Sequence, residues 1–283
     1  MTLAGLVLAA LLATRDGESF AFGSRIAVIE IDGLIADDEA LLEQIRRFRR
    51  DGSIKGFVVS INSPGGVVGP SQSVYRELRR LRDEDDRPVI ASIGGVGASG
   101  GYYIALAADS IFVLPGSMTG SIGVIMEFPN AAELMDRVGV SVETVQSAEH
   151  KDIGSPFRPI TPEDRTILQS LVTDVYEQFV EAVAEERSLP AETVRQVADG
   201  RILSGRQALE RGLVDRIGNL HDALATAGEM TGLGSDPAVA RPPEASFTFL
   251  DLLLGRGTAK LLGSVVRPLD PASGPRLKYV VPW

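Results

Sequence analysis

Short apolar runs alternate with amphipathic segments over the first 114 residues, and this alternation predicts the fold class. Runs rich in β-branched residues that end at turn formers predict buried strands over residues 25–31, 56–61, 88–93 and 110–114. Apolar residues at helical spacing predict helices over residues 36–50, 71–82 and 102–108. Strands that alternate with helices in this way are typical of an α/β fold with parallel strands.

The second half of the chain is predicted to be more helical. Thr161 is a candidate N-cap followed by Pro162 and two acidic residues, a favourable start for a helix. This helix is predicted to run to about Arg187, with an inward apolar stripe at Ile167, Leu171, Val175, Phe179 and Val183. Ser204 predicts the start of a further short helix over residues 205–211.

Composition and charge exclude several kinds of protein. A net charge of −10 and a pI near 4.8 argue against nucleic acid as a partner. The chain has no cysteine, so a thiolate nucleophile and a disulfide framework are excluded. Only His150 and His221 are present, which excludes a His-rich metal centre. The 28 basic residues are nearly all arginine, with lysine only at positions 55, 151, 260 and 278.

The two ends of the chain differ from its centre, which divides the sequence into residues 1–24, 25–235 and 236–283. Leu3–Ala13 is an uncharged apolar run that is too short to cross a bilayer as written. It is interpreted either as a buried helix or, preferably, as the end of a membrane anchor. Pro237–Glu244 is predicted to be a linker, and Phe247–Trp283 an apolar tail. The tail is interpreted as covering a groove of a neighbouring subunit, as lying at a membrane interface, or as a strand that packs on its own domain.

Ser99 is the first candidate for chemistry, because it precedes Gly100 at the predicted start of a helix. The free N–H groups and the dipole at a helix N-terminus stabilise negative charge that develops near them. The glycine-rich turn around Gly66 offers a second N–H, and two such donors are what acyl transfer requires. A tight strand-to-helix turn with a capping serine would have the same sequence, so both interpretations remain open here.

A serine nucleophile also needs a base, and no sequence pattern places either histidine near Ser99. A lysine that loses its proton on burial can act as that base, whereas arginine stays protonated. Lys151 is one of the few lysines, but the residues alone do not distinguish it from a solvated surface charge.

Five segments, in order between Arg25 and Met230, resemble the signal peptide peptidase A family, the protease IV type of serine peptidase with a Ser/Lys dyad. They are residues 61–66 (the family's NSPGG turn), 98–103 (ASGGYY), 119–124 (TGSIGV), 147–156 (the loop with the base) and 199–215. The resemblance implies that Ser99 is the nucleophile and Lys151 the general base, with Ser121 orienting the lysine. It further implies that backbone N–H groups of Gly66 and Gly100 form the oxyanion hole, with no metal or cofactor.

The same resemblance implies a Clp protease/crotonase-like α/β fold of ββα units with a helical C-terminal part. It implies peptide substrates such as cleaved signal peptides, and a homo-oligomer in which neighbouring subunits share each active site. A membrane-associated protein with its catalytic domain on the outer, extracytoplasmic face is expected. The alternatives are a crotonase-type acyl-CoA enzyme, a non-catalytic assembly module, and a relative of the same protease clan that acts with membrane scaffold proteins.

Overall fold

The computed structural model describes residues 23–242 and the backbone of residues 278–280. The apolar run near the N-terminus and most of the tail lie outside these described residues. The strands are β1 (Arg25–Asp32), β2 (Ile54–Ser63), β3 (Gly65–Val67), β4 (Val89–Ala98), β5 (Ser110–Val113), β6 (Met118–Gly120), β7 (Ile202–Ser204), β8 (Arg216–Ile217), β9 (Val239–Ala240) and β10 (Lys278–Val280). The helices are α1 (Glu39–Arg50), α2 (Val68–Asp83), α3 (Gly100–Ala105), α4 (Ala132–Arg137), α5 (Pro162–Arg187), α6 (Ala191–Arg195), α7 (Gly205–Glu210) and α8 (Leu220–Met230).

A mixed sheet with a parallel centre forms the middle layer. Its strand order is β7-β6-β4-β2-β1-β9. In addition, β5 pairs with the first half of β4, and β8 pairs with β5. Strands β1, β2, β4 and β5 pair in parallel, so their carboxyl ends lie at one edge of the sheet. The order β2, β3, α2 is one of the expected ββα units, and the α/β prediction is confirmed.

Alternating side chains of the central strands fill two cores, one on each face of the sheet. On one face Ile29, Val59 and Ala91 pack with residues of α2 and α3 in the larger core. On the other face Val28 and Val58 pack against Ala223 and Ala227 of α8. Because the strands are buried on both faces, they read in the sequence as continuous apolar runs.

Strand β4 is longer than the sequence predicted, and this extension brings the chain to the candidate site. The apolar run ends at Ile93, but the strand continues to Ala98. The added segment pairs in parallel with β6, with Gly97 opposite Thr119, and Gly97 also pairs with Ser63 at the end of β2. Strand pairing on both sides therefore holds a glycine-rich segment extended, although its own propensity for strand is weak.

Helix α5 begins as predicted and departs from the prediction in its first half. Thr161 caps it with a full capping box to Asp164. Val175, Phe179 and Val183 are buried as expected, but Ile167 and Leu171 are 38% and 43% exposed. The prediction of an inward stripe is therefore wrong for these two residues, because neither packs against the two described cores.

One further strand lies near the end of the described region. Within the segment expected to be a linker, Val239–Ala240 forms β9, which pairs in parallel with β1. The short strand needs only an unpaired edge of β1, a feature that local sequence does not reveal.

None of the helices that the structure describes is long and apolar enough to cross a membrane.

Candidate functional site

Ser99 lies between the carboxyl end of β4 and the first residue of α3. Its φ of 53° is in the left-handed region, which is uncommon for a residue with a side chain and costs conformational energy. The Ser99 N–H donates to the carbonyl oxygen of Gly120 at 2.8 Å, and this bond fixes the turn. The side chain is 1% exposed, and its Oγ has no hydrogen-bond partner among the described residues. A buried hydroxyl without a partner is suited to receive a base.

Gly66 lies in β3, beside the nucleophile turn, and only glycine fits its position. A Cβ on Gly66 would lie 2.0 Å from the carbonyl oxygen of Ile35, far inside van der Waals contact. The Ile35 N–H donates to the Gly65 carbonyl and the Val67 N–H donates to the Ile35 carbonyl, at 3.0 and 2.7 Å. Because successive residues of a strand alternate the side to which their polar groups point, Gly66 directs its N–H away from Ile35.

Gly100 is the first residue of α3, so its N–H has no acceptor within the helix. Directly after it, Gly101 packs against the end of β2: a Cβ there would lie 2.9 Å from the carbonyl oxygen of Ser63. The two predicted oxyanion donors, Gly66 and Gly100, therefore lie on segments that are in contact.

Ser121 follows Gly120, the residue whose carbonyl accepts the Ser99 N–H bond. It is 7% exposed and also left-handed, with a φ of 50°. A cavity of about 380 Å³ opens beside it, and its wall includes the apolar residues Val124 and Val172 together with Tyr176. The structure thus places the predicted nucleophile and the predicted lysine-orienting serine on adjoining turns.

Lys151 makes no hydrogen bond to Ser99 in the part of the chain that the structure describes. Its side chain is exposed and makes no hydrogen bond or ion pair with the residues that the structure describes. The loop that carries it is nevertheless fastened: Arg158 binds Asp152 through two bonds of 2.8 Å and also binds Asp164. The hydrogen bonds from Arg158 hold the pKa of both carboxyl groups below its usual range. The loop is therefore held by ion pairs, while the side chain of its lysine has no partner among the described residues.

The short strand β10 occupies the remaining edge of β3. It runs antiparallel, with Tyr279 opposite Gly66 and Val280 opposite Gly65. This is the edge to which Gly66 directs its N–H. Of the interpretations of the tail, packing on the chain's own domain is the one that the described backbone shows for residues 278–280.

Sequence reasoning missed three features of the site. It did not foresee β6, whose Gly120 carbonyl holds Ser99, or the bridge from Ile35 to Gly66. It also gave no role to the hydroxyl of Ser63, which accepts a hydrogen bond from the Gly65 N–H. Each of these depends on a backbone partner distant in sequence, and the only local signal was the density of glycine and proline.

Residues 82–234 match the model of Peptidase family S49. A protein of Synechocystis whose name includes the word protease is 43% identical over 214 residues, which are 75% of this chain and 76% of that protein. An Enterococcus faecium protein whose name includes signal peptide peptidase SppA is 34% identical over 220 residues, which are 73% of this chain and 64% of that protein. The serine protease SPPA, chloroplastic, of Arabidopsis thaliana is 34% identical over 78% of this chain, but the match spans 33% of that protein.

The match to the family covers more than half of the chain and includes Ser99, Ser121 and Lys151. It agrees with the family resemblance of the sequence motifs and with the α/β sheet and its ββα unit. An acyl-CoA enzyme and a non-catalytic module find no support in these relatives. The chain therefore belongs to Peptidase family S49, has the Clp protease/crotonase-like fold of that family, and is a serine peptidase.

Proposed function

We propose that this peptidase uses Ser99 and Lys151 as a dyad to hydrolyse hydrophobic peptides, such as cleaved signal peptides, at a membrane surface. The observation that carries the proposal is the buried Ser99 hydroxyl, which has no hydrogen-bond partner in the described part of the chain. Two backbone donors, at Gly66 and Gly100, belong to the segments that flank it. Fluorophosphonate labelling of the intact assembly, with the modified residue located by mass spectrometry, tests whether Ser99 is the nucleophile.

The reaction then proceeds through an acyl-enzyme. Neutral Lys151 takes the proton of Ser99 as Oγ attacks the peptide carbonyl carbon, and Gly66 and Gly100 stabilise the oxyanion. Lys151 returns the proton to the leaving amine as the C–N bond breaks. Water attacks the acyl group with Lys151 again as base, which releases the acid and restores Ser99.

The edge of β3 supports an extended peptide as the substrate. Strand β10 pairs antiparallel with Gly65–Val67, so this edge is able to accept a strand from outside the main sheet. Extended peptides bind to such edges through main-chain hydrogen bonds, and pockets select alternate side chains. The cavity beside Ser121, with Val124 and Tyr176 in its wall, suits an apolar side chain.

The contrast between a buried Ser99 and an exposed Lys151 supports a site shared between copies of the chain. The region around the lysine loop also carries apolar side chains that no core covers: Leu134, Val138 and Val140 are 63%, 63% and 46% exposed. Ile167 and Leu171 on α5 are also exposed. A second copy that covers these residues would bury apolar area and deliver Lys151 to the neighbouring Ser99.

Mixing two inactive variants provides the direct test of a shared site. Ser99→Ala and Lys151→Ala are each expected to be inactive as homo-oligomers. If the dyad crosses the interface, co-assembly at equal amounts restores about one quarter of the sites, since each needs an intact serine beside an intact lysine. Hydrolysis of a fluorogenic peptide by the co-expressed pair measures this. A mixed assembly, shown by mass to contain both variants, that stays inactive would contradict a shared site.

Strand β10 lies where a substrate strand is proposed to bind, so its removal is expected to expose the site. Deleting residues 278–283 should raise kcat/KM for an extended peptide several-fold, because the tail competes for the β3 edge at high effective concentration. Adding the deleted segment as a synthetic peptide should lower the activity again. An unchanged kcat/KM at unchanged oligomer mass would show that β10 does not block substrate.

The membrane setting rests on the apolar run Leu3–Ala13 and on the chemistry of the proposed substrates. We propose membrane association with the catalytic domain on the extracytoplasmic face. Protease digestion of intact and of broken cells that express a tagged chain distinguishes the two faces.

A further inference from the structure

We propose that the buried hydroxyl of Ser63 is a positioning group for the oxyanion hole. In this role it fixes the position of the strand that carries Gly66 relative to the helix that carries Gly100. The inference rests on the proposed function, because it assumes that these two N–H groups stabilise the oxyanion. Ser63 is 0% exposed, so its side chain is not available to substrate and its effect has to pass through other groups.

On one side, Ser63 holds the strand of the oxyanion hole. Its Oγ accepts a hydrogen bond of 3.1 Å from the N–H of Gly65, across the intervening Pro64. Gly65 has a φ of +102°, a conformation that glycine adopts readily and other residues rarely do. The Ser63 bond fixes the orientation of the Pro64–Gly65 peptide, which directly precedes the peptide that carries the Gly66 N–H.

On the other side, Ser63 is packed against the nucleophile segment. Its carbonyl oxygen lies so close to Gly101 that a Cβ there would be 2.9 Å away. It also pairs in parallel with Gly97, two residues before Ser99. Ser63 therefore bonds to the segment that carries Gly66 and contacts the segment that carries Gly100, so it links the two directly.

Loss of the hydroxyl would leave a buried N–H at Gly65 without its acceptor. To regain an acceptor for this N–H, the Pro64–Gly65 peptide would have to turn, which shifts Gly65 and with it the position of the Gly66 N–H. Ground-state binding along the edge of β3 depends on several main-chain bonds, whereas oxyanion stabilisation depends on this donor's direction. The effect should therefore fall on kcat and leave KM nearly unchanged.

Ser63→Ala in the full chain tests the inference. Complete removal of an oxyanion donor costs about 10²- to 10³-fold in kcat, so misdirecting one is expected to lower kcat by about 10- to 100-fold. Binding of a peptide aldehyde, which forms a tetrahedral adduct, should weaken by a similar factor, while binding of an uncleaved product peptide should not change. Ser63→Thr keeps the acceptor and is expected to recover most of the activity.

Ser53→Ala is the matched control, since Ser53 precedes the opposite end of β2. Its hydroxyl also makes side-chain hydrogen bonds, both partly buried: it donates to Asp51 at 2.7 Å and accepts from Arg25 at 3.1 Å. This variant should keep wild-type kcat. The inference is overturned if Ser63→Ala keeps kcat within about threefold, or if kcat, KM and product binding all change together. Fluorophosphonate labelling of Ser99 in the wild type checks the proposed function separately, so the two failures are distinguishable.

Discussion

Replacing Ser99 by alanine is expected to lower kcat/KM for peptide hydrolysis by at least about 10³-fold, because the covalent route is lost while the oxyanion donors remain. The removed Oγ has no hydrogen-bond partner among the described residues, so the variant leaves no orphaned group behind. Folding should be unaffected, and thermal unfolding of both proteins checks this. The measurement is hydrolysis of a fluorogenic hydrophobic peptide by the assembled protein, with fluorophosphonate labelling as a second readout.

Ser92→Ala is the matched control for this variant. Ser92 lies in the same strand, β4, and is also buried, at 4% exposure, but it is in the middle of the strand. It should retain labelling and activity. If Ser99→Ala hydrolyses peptide at the wild-type rate, Ser99 is not the nucleophile and the proposed dyad is wrong.

Replacing Lys151 by arginine is expected to be as damaging as replacing it by alanine, with a loss of at least about 10³-fold in kcat. The general base has to accept a proton, and a guanidinium does not lose its own in proteins. Charge at position 151 is preserved in the arginine variant, so a merely electrostatic role would leave it active. Substrate binding should change little, because the dissociation constant of the substrate does not depend on this proton transfer.

Lys55→Arg is the control for the same exchange of side chains. Lys55 is exposed, and its Nζ donates to the carbonyl oxygen of Gly52 at the opposite end of β2 from the site. Wild-type kcat is expected for that variant. A Lys151→Arg enzyme that turns over as fast as the wild type would exclude Lys151 as the base, even if Ser99 is labelled.

Much of the central sheet was predictable from local sequence. The runs that became β1, β2 and β5 are buried on both faces, and burial selects continuous β-branched and apolar residues. Helices α5 and α7 begin at the predicted caps Thr161 and Ser204, because each capping box is complete within four residues. What failed were features whose partners are distant: the extension of β4, the edge strand β9, and the exposure of Ile167 and Leu171.

The candidate site divides in the same way. The glycine-rich turns and the family motifs in the sequence are enough to identify Ser99, Ser121, Gly66, Gly100 and Lys151 as candidates. Their assigned roles remain predictions that the variants above test. The structure adds that the turns of Ser99 and Ser121 are joined by a hydrogen bond, that the Gly66 and Gly100 segments are in contact, and that Lys151 is exposed and makes no bond to Ser99 among the described residues.

By itself, the sequence determined which chemistry is available to this protein. The absence of cysteine and the scarcity of histidine and lysine are properties of composition, and turns of glycine and proline are encoded locally. Only the tertiary structure decided the strained backbone of Ser99, the direction of the Gly66 N–H and the place of Ser63 between the two donors. These features depend on hydrogen bonds and contacts between segments that are distant in the sequence, and such contacts form only when the sheet has folded.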